Sequence, residues 1–225
     1  MIESGGICVS DLVQRFGPRT ILNGISFSVR PGESVALVGA NGAGKTTLLR
    51  ILSTLLTPSR GEVLIDGISV RKDSRTICSR MGWAPAVEGG FFPRLTGLDN
   101  LLAFGALKKL GKLEVLESID PLEGLAPFED ALETPYFLCS SGMKQLLNLA
   151  RALLSSPSVL ILDEPTRSLD EKTVLVLREL LETEFKKSAI LFSAHLRGGS
   201  ELRSDRLVFL ENGLLRDEAG EVVNS

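Results

Sequence analysis

Three groups of residues in this chain have the types and spacing of a phosphate-handling site. The first is Gly39-Ala40-Asn41-Gly42-Ala43-Gly44-Lys45-Thr46, followed by Thr47, with the Gly-x-x-x-x-Gly-Lys-Thr spacing of a phosphate-binding loop. Glycines let backbone amides converge on one point, because no Cβ blocks the approach. A helix that starts where the loop ends directs its positive N-terminus at the same point. Lys45 can then reach β- and γ-phosphates, and the Thr46 hydroxyl can ligate Mg²⁺. The second group is Asp163-Glu164. Asp163 suits Mg²⁺ coordination, directly or through water, and Glu164 suits a base that polarises an attacking water. An Asp-Glu pair at a strand end is commonplace by itself; the loop upstream gives this one its meaning. The third is His195, the only histidine of the chain, ending a strand predicted to lie beside the loop and so within reach of a γ-phosphate.

The elements that must position these groups follow from hydrophobic periodicity. Val35 to Val38 is an apolar run of buried-strand length, ended by Gly39, and from Lys45 toward Leu56 the residues are helix-forming with apolar spacing, until Pro58-Ser59-Arg60-Gly61 ends the element. Val159 to Leu162 and Ala189 to Phe192 are further apolar strands; carboxylates that follow such a strand lie at the sheet's carboxyl edge, where α/β folds bind ligands. Between these two strands a helix from about Glu171 to Phe185 puts Val174, Leu177, Leu181 and Phe185 on one face. Ile7 to Val13 and Ile25 to Val29 read as strands, the second alternating as a half-exposed antiparallel strand does. Phe16, in the turn Arg15-Phe16-Gly17-Pro18, either covers the core or stacks on a nucleotide base. Glu62 to Ile65 is a strand with a hairpin turn at Asp66-Gly67, Arg80 to Ala84 is a buried strand, and Pro85 to Pro93 is a loop. From Thr96 to about Ser155 strand signals vanish, and Leu98, Leu101, Leu102 and Gly105, then Met143, Leu146, Leu147, Ala150, Leu153 and Leu154, keep helical spacing. Arg206 to Leu210 and Leu214 to Val223 close the chain as a hairpin around Asn212-Gly213. The pattern is α/β with a helical insertion.

Composition narrows the function classes. With 225 residues and 44% hydrophobic content the chain can bury a substantial core. A net charge of −3 and a pI near 5.4 argue against a nucleic-acid partner, which calls for a basic excess. The N-terminus lacks the basic-then-apolar pattern of a signal peptide, and no apolar run approaches the ~20 residues that span a bilayer, so membrane association is expected only through a partner. Cys8, Cys78 and Cys139 are odd in number and widely separated, the pattern of buried free thiols in a reducing cytosol.

Taken in order, the motifs resemble the ATP-binding subunit of an ATP-binding-cassette (ABC) transporter, over essentially the whole chain. Phe16 matches the family's base-stacking aromatic, Gly39 to Thr46 its Walker A motif, and Leu160 to Asp163 its Walker B motif, with Glu164 as the catalytic carboxylate. Cys139-Ser140-Ser141-Gly142-Met143-Lys144-Gln145 resembles the signature, Ser168-Leu169-Asp170 the dimer-contact loop, and His195 the switch histidine. The resemblance implies a P-loop NTPase core of the RecA-like type with an antiparallel β subdomain and a helical insert. It implies one domain over 1–225, with the core in 1–86 and 156–225 and the helical subdomain in about 87–155. ATP and Mg²⁺ are the implied ligands. The implied assembly is a head-to-tail dimer, with an identical or a paralogous ABC subunit, in which Ser140, Ser141 and Gly142 of one copy meet the ATP held by the other. The implied partner is an integral membrane permease that holds the chain at the inner face of the cell membrane, from the cytoplasm. Phe92 to Leu101, Ser-Gly-Met-Lys and Thr-Arg-Ser-Leu-Asp look most like exporter-type members.

The chain departs from the family at three places. Where the family carries Gln after Tyr-x-Pro, this chain has Trp83-Ala84-Pro85-Ala86; Ala86 has no oxygen to ligate a metal, and Glu88, two residues on, is the nearby carboxylate. Ser141 stands in place of the first signature Gly, and Leu146 in place of a usual Arg. Two rival expectations accompany the transport motor. A soluble ATPase of the same fold would bring a long coiled-coil insert or a second cassette, and neither is present. A degenerate cassette used as a regulatory ATP clamp would fit Ala86 but not intact Lys45, Asp163, Glu164 and His195.

Overall fold

Alternating apolar residues build the first sheet. The computed structural model describes residues 5–86, 89–194 and 202–223. In β1 (Ile7–Phe16) and β2 (Arg19–Val29) the side chains of Ile7, Val9, Ile25, Phe27 and Val29 point inward at the period of two that a strand dictates. Val9 and Leu12 are both buried although three apart, because a bulge between them, with Asp11 at φ 47°, resets the register. Phe16 is the last residue of β1, so the turn is tighter than the sequence suggests. β3 (Ser34–Val38) and α1 (Lys45–Leu52) follow. α1 ends at Leu52 rather than near Leu56: Thr54 turns left-handed at φ 63°, and the amides of Leu55 and Leu56 wrap back onto the Arg50 carbonyl. β4 (Arg60–Ile65) and β5 (Ile68–Ser69) form the expected hairpin, with Asp66 and Gly67 both at positive φ, and complete a sheet of order β2-β1-β4-β5.

The second sheet takes α2 (Ser74–Arg80) and β6 (Met81–Ala84), then waits for a block of helices: α3 (Gly97–Leu107), α4 (Lys112–Ile119), α5 (Ala126–Glu133) and α6 (Ser141–Leu153). Asn100 of α3 is fully buried and binds Phe92 through its backbone N–H and carbonyl, tying the loop ahead of α3 to the helix. β7 (Val159–Leu162), α7 (Glu171–Thr183), β8 (Ala189–Ala194), β9 (Arg206–Glu211) and β10 (Leu214–Arg216) complete the chain. The sheet order is β10-β9-β3-β8-β7-β6, parallel except at the β10 edge. The closing hairpin is shorter than expected, because a turn at Asp217 to Gly220 doubles the chain back and only Val222 pairs with Arg216.

The large sheet divides the interior in two. Val35, Leu37, Ile161 and Leu191 face a core shared with α1 and the antiparallel sheet. Ala36, Val38, Leu160, Leu162 and Phe192 face a core shared with α3 to α7. Strands covered on both faces are nearly all apolar, which is why β7 and most of β3 and β8 read as apolar runs. The expectation of three buried thiols is corrected: Cys139 is buried, Cys8 half-buried and Cys78 exposed. Among the described residues no helix is long and apolar enough to cross a membrane.

Candidate functional site

The phosphate loop leaves β3 at its carboxyl end. A Cβ on Gly39 would come within 2.7 Å of the Leu210 carbonyl of β9, so this exit takes only glycine. Gly44, at φ 110°, caps α1 in a conformation that L side chains avoid. No side chain caps this N-terminus, and no acid lies in the first helical turn. The helix dipole therefore presents its positive end to the loop without a neutralising protein charge there. Lys45 is buried, and its Nζ donates to the carbonyls of Gly39 at 2.6 Å and Ala40 at 3.3 Å. Burial pushes its pKa below the ordinary lysine value, and Glu164 and Asp163 pull partly the other way.

The acidic pair sits where β7 ends, beside the end of β8. Parallel pairing sets Leu162 opposite Phe192, so the residues that follow, Asp163 and Ser193, also meet. The Asp163 carboxylate is buried and held from two sides: Thr46 Oγ1 donates to Oδ2 at 3.0 Å, and Ser193 Oγ donates to Oδ1 at 2.6 Å. Glu164 adopts a left-handed backbone, φ 51°; its N–H donates to Ser193 Oγ at 2.8 Å, and its carboxylate lies 3.5 Å from Arg167 Nη1. Gln145 of α6 donates to the carbonyl of Pro165 at 2.9 Å and to that of Glu164 at 3.4 Å. Thr46 and Asp163 are oxygen donors of the kind a hard divalent cation takes, completed by phosphate and water. Among the described residues no group of three or more His, Cys, Asp or Glu is arranged to hold a metal.

Several of the residues expected from the sequence meet here. A cavity of about 320 Å³ is lined by Phe16, Arg19 and Ile21, by Ala40, Asn41, Gly42 and Gly44, and by Lys45, Thr46, Thr47 and Glu164. Phe16 is half exposed at its rim. Ala43 sits within the loop, its N–H donating to the Ala40 carbonyl at 3.1 Å. Ser140, Ser141, Gly142 and Asp170 do not line this cavity. Ser140 caps α6 by accepting from the Met143 amide at 3.2 Å, Gly142 packs closely on the Ser168 carbonyl, and Asp170 caps α7 by accepting from the Thr173 amide at 2.8 Å. Those Thr173 bonds hold the Asp170 carboxyl below its ordinary pKa. Ala86 is half-buried just beyond β6. Glu88 and His195 lie outside the described residues.

Sequence reasoning missed Ser193 and Gln145 as parts of this site. The available signal was one serine placed after the apolar run of β8, which reads as a strand end rather than as a hydroxyl aimed at a neighbour. Further contacts link the loop after β6 to α6: Asn148 Nδ2 donates to the Pro85 carbonyl at 2.8 Å, and Arg151 donates to Asn148 Oδ1 at 2.6 Å and to the Gly89 carbonyl at 3.0 Å. Beside this loop lies a larger hollow of about 900 Å³, lined among others by Arg75, Cys78, Trp83, Leu107 and Lys108.

The family model described as ABC transporter matches residues 22–167. Nod factor export ATP-binding protein I of Rhizobium meliloti (strain 1021) is 35% identical over 208 residues, which are 92% of this chain and 62% of that protein. ABC transporter ATP-binding protein NatA of Bacillus subtilis (strain 168) is 31% identical over 212 residues, covering 92% of this chain and 86% of NatA. A solved structure of an ATP binding subunit of an ABC transporter superposes with a TM-score of 0.85 at 30% identity, covering 97% of this chain and 90% of the other. The chain thus spans less than two thirds of the Nod factor export protein and most of the other two.

Proposed function

This chain belongs to the ABC transporter family, and from that membership we propose that it is the ATP-binding and ATP-hydrolysing subunit that powers an exporter through a separate membrane permease. The observation that carries the catalytic part is the meeting of Lys45, Thr46, Asp163 and Glu164 at one strand edge: Lys45, Thr46 and Glu164 line the cavity, and Asp163 is bonded to Thr46. The loop amides and Lys45 take the triphosphate, whose negative charge replaces the two carbonyls that Lys45 now holds. Phe16, at the rim, offers a face to the base. Mg²⁺, when bound, would supply positive charge to neutralise the phosphates. Thr46 and Asp163 would hold it, and Glu164 would accept the proton of the attacking water.

Ser140, Ser141, Gly142 and Asp170 belong in this reading to the face that meets a second cassette, identical or paralogous, in a head-to-tail dimer. His195 remains assigned from the sequence as a γ-phosphate contact. One domain is assigned to 1–225, with the helical part, about 87–155, carrying the signature. The permease is assigned to the hollow beside the Pro85 to Gly89 loop, with Ala86 and Glu88 in the coupling path. That partner would hold the chain at the inner face of the membrane. Export as the direction rests on the names of the relatives.

The test is a titration of a fluorescent ATP analogue against the parent and Lys45→Ala. Lys45 is the only side-chain cation in the loop, so the variant should lose binding by at least about 100-fold, the scale of a charge-assisted contact left unmade on both sides. Equal affinity would remove the phosphate-loop assignment.

A further inference from the structure

We propose that Ser193 is a positioning residue that sets the cation-binding carboxylate Asp163 and the base Glu164 in one geometry, a role that rests on the ATPase function proposed above. Its hydroxyl has one hydrogen to give and lone pairs to offer. The hydrogen goes to Asp163 Oδ1 at 2.6 Å, the short separation of a charge-assisted bond. A lone pair accepts the Glu164 N–H at 2.8 Å. One buried oxygen thus touches both acids.

Each contact removes a freedom the chemistry cannot tolerate. Asp163 could otherwise turn about its χ2, which is soft for a carboxylate. Thr46 holds Oδ2 and Ser193 holds Oδ1, so the plane of the carboxylate is fixed from both sides. Glu164 occupies a left-handed backbone that non-glycine residues seldom adopt. Its amide is anchored on Ser193, and its carbonyl accepts from Gln145. The direction of the Glu164 side chain therefore depends on where the Ser193 oxygen stands. That oxygen is itself fixed, because Ser193 lies in β8 with its backbone opposite Leu37 of β3.

A serine that merely satisfies buried polar neighbours would affect stability alone. A positioning role makes a sharper claim: removing the hydroxyl should weaken the response to Mg²⁺ while leaving metal-free nucleotide binding alone. The experiment compares parent, Ser193→Ala and Ser193→Thr in three measurements: affinity for a fluorescent ATP analogue in EDTA, half-saturation by Mg²⁺ of the nucleotide-loaded protein, and ATP turnover. Outer-shell partners of metal ligands typically govern about 10–100-fold in affinity or activity, so Ser193→Ala should lose that much in Mg²⁺ half-saturation and in turnover. Its affinity in EDTA should stay within about twofold of the parent, since the phosphate contacts are untouched. Ser193→Thr keeps the hydroxyl on a β-branched residue suited to a strand and should restore both losses. An unchanged Mg²⁺ half-saturation in Ser193→Ala overturns the proposal. So does an equal loss of affinity in EDTA, which would mark general damage to the site. Should Ser193→Ala not fold, Ser193→Cys, of similar size and with only a weak donor, should show the same selective loss; parent-like Mg²⁺ dependence there overturns the proposal as well. A parent that binds no nucleotide removes the ATPase function itself, which is visible before any Ser193 variant is compared.

Discussion

Replacing Glu164 by Gln separates chemistry from binding more cleanly than any other single change in this site. The substitution exchanges one carboxylate oxygen for an amide nitrogen and alters nothing else in size. The backbone of residue 164 is held by its N–H on Ser193 Oγ at 2.8 Å and its carbonyl accepting from Gln145 at 3.4 Å, with φ at 51°. All survive the change. Removing the charge ends the attraction to Lys45 and an ion pair with Arg167 at 3.5 Å, the arginine side chain being 61% exposed. Exposed pairs of this kind are worth about 0–1 kcal/mol. The melting temperature should therefore move by less than about 4 °C. The catalytic loss should be far larger. A general base contributes about 10²–10⁴-fold, which is roughly 2.7–5.4 kcal/mol of barrier. Steady-state phosphate release would read that loss, and titration of an ATP analogue would show affinity retained. Light scattering would show an ATP-dependent dimer that persists, because the closed state no longer resolves by hydrolysis. Turnover within about threefold of the parent, in a folded variant that binds ATP, would refute the assignment of Glu164 as base.

Two further outcomes follow from the same contacts. Lys45 has a folded pKa lowered mainly by burial, with Glu164 and Asp163 raising it in part. Between that lowered value and the ordinary 10.5 the unfolded chain holds more protons at this residue, so stability conferred there rises with pH. Nucleotide-free parent should therefore gain stability relative to Lys45→Met as pH goes from about 7 to about 10, read by chemical denaturation at several pH values; a gap that moves the other way contradicts burial outweighing the acidic neighbours at this ammonium. Asn100→Ala should cost about 2–4 kcal/mol, because Asn100 accepts from the Phe92 amide and donates to the carbonyls of Phe92, Leu95 and Thr96 from a fully buried position. Thermal unfolding should fall by about 5–15 °C, and a fall under about 2 °C would mean the loop ahead of α3 does not depend on this side chain.

What the sequence reveals about this site depends on how local each contact is. The phosphate loop is legible because strand, glycines, lysine and helix are contiguous. Asp163 and Glu164 are legible because an apolar strand directly precedes them. Ser193 is not, since its partner is chosen by the parallel register of β7 against β8, thirty residues away in sequence. Fold errors have similar causes. Leu55 and Leu56 continue the apolar spacing of α1, yet Leu55 stands exposed beyond a left-handed turn at Thr54. α2 escapes detection because it is one short polar segment that buries only Ile77. Cys78, on that same helix, is exposed for the same reason. By contrast the helical block from α3 to α6 is plain in outline, because each helix buries apolar residues in one shared core.

The strand order accounts for what one subunit can hold and what it cannot. β3, β8 and β7 are adjacent and parallel, so the phosphate loop, Ser193 and the acidic pair all emerge at one carboxyl edge. The N-terminus of α6 answers to a different constraint. α6 is held to the sheet along its length by Leu146, Leu149, Ala150 and Leu153, and to the loop after β6 by Asn148 and Arg151. Its first residues, Ser141 and Gly142, and the Ser140 cap therefore follow the helix axis rather than the strand edge, and they line no part of the phosphate cavity. In the reading proposed above, this Ser-Gly start is completed by another surface brought to it. In the dimer proposed above a second cassette would supply that surface, and the loop at Pro85 and Gly89 is tied to α6 by the side chains of Asn148 and Arg151. On the function proposed above, nucleotide binding would be a property of the strand edge of a single copy, whereas completion of the site, and its link to a permease, would depend on where α6 stands.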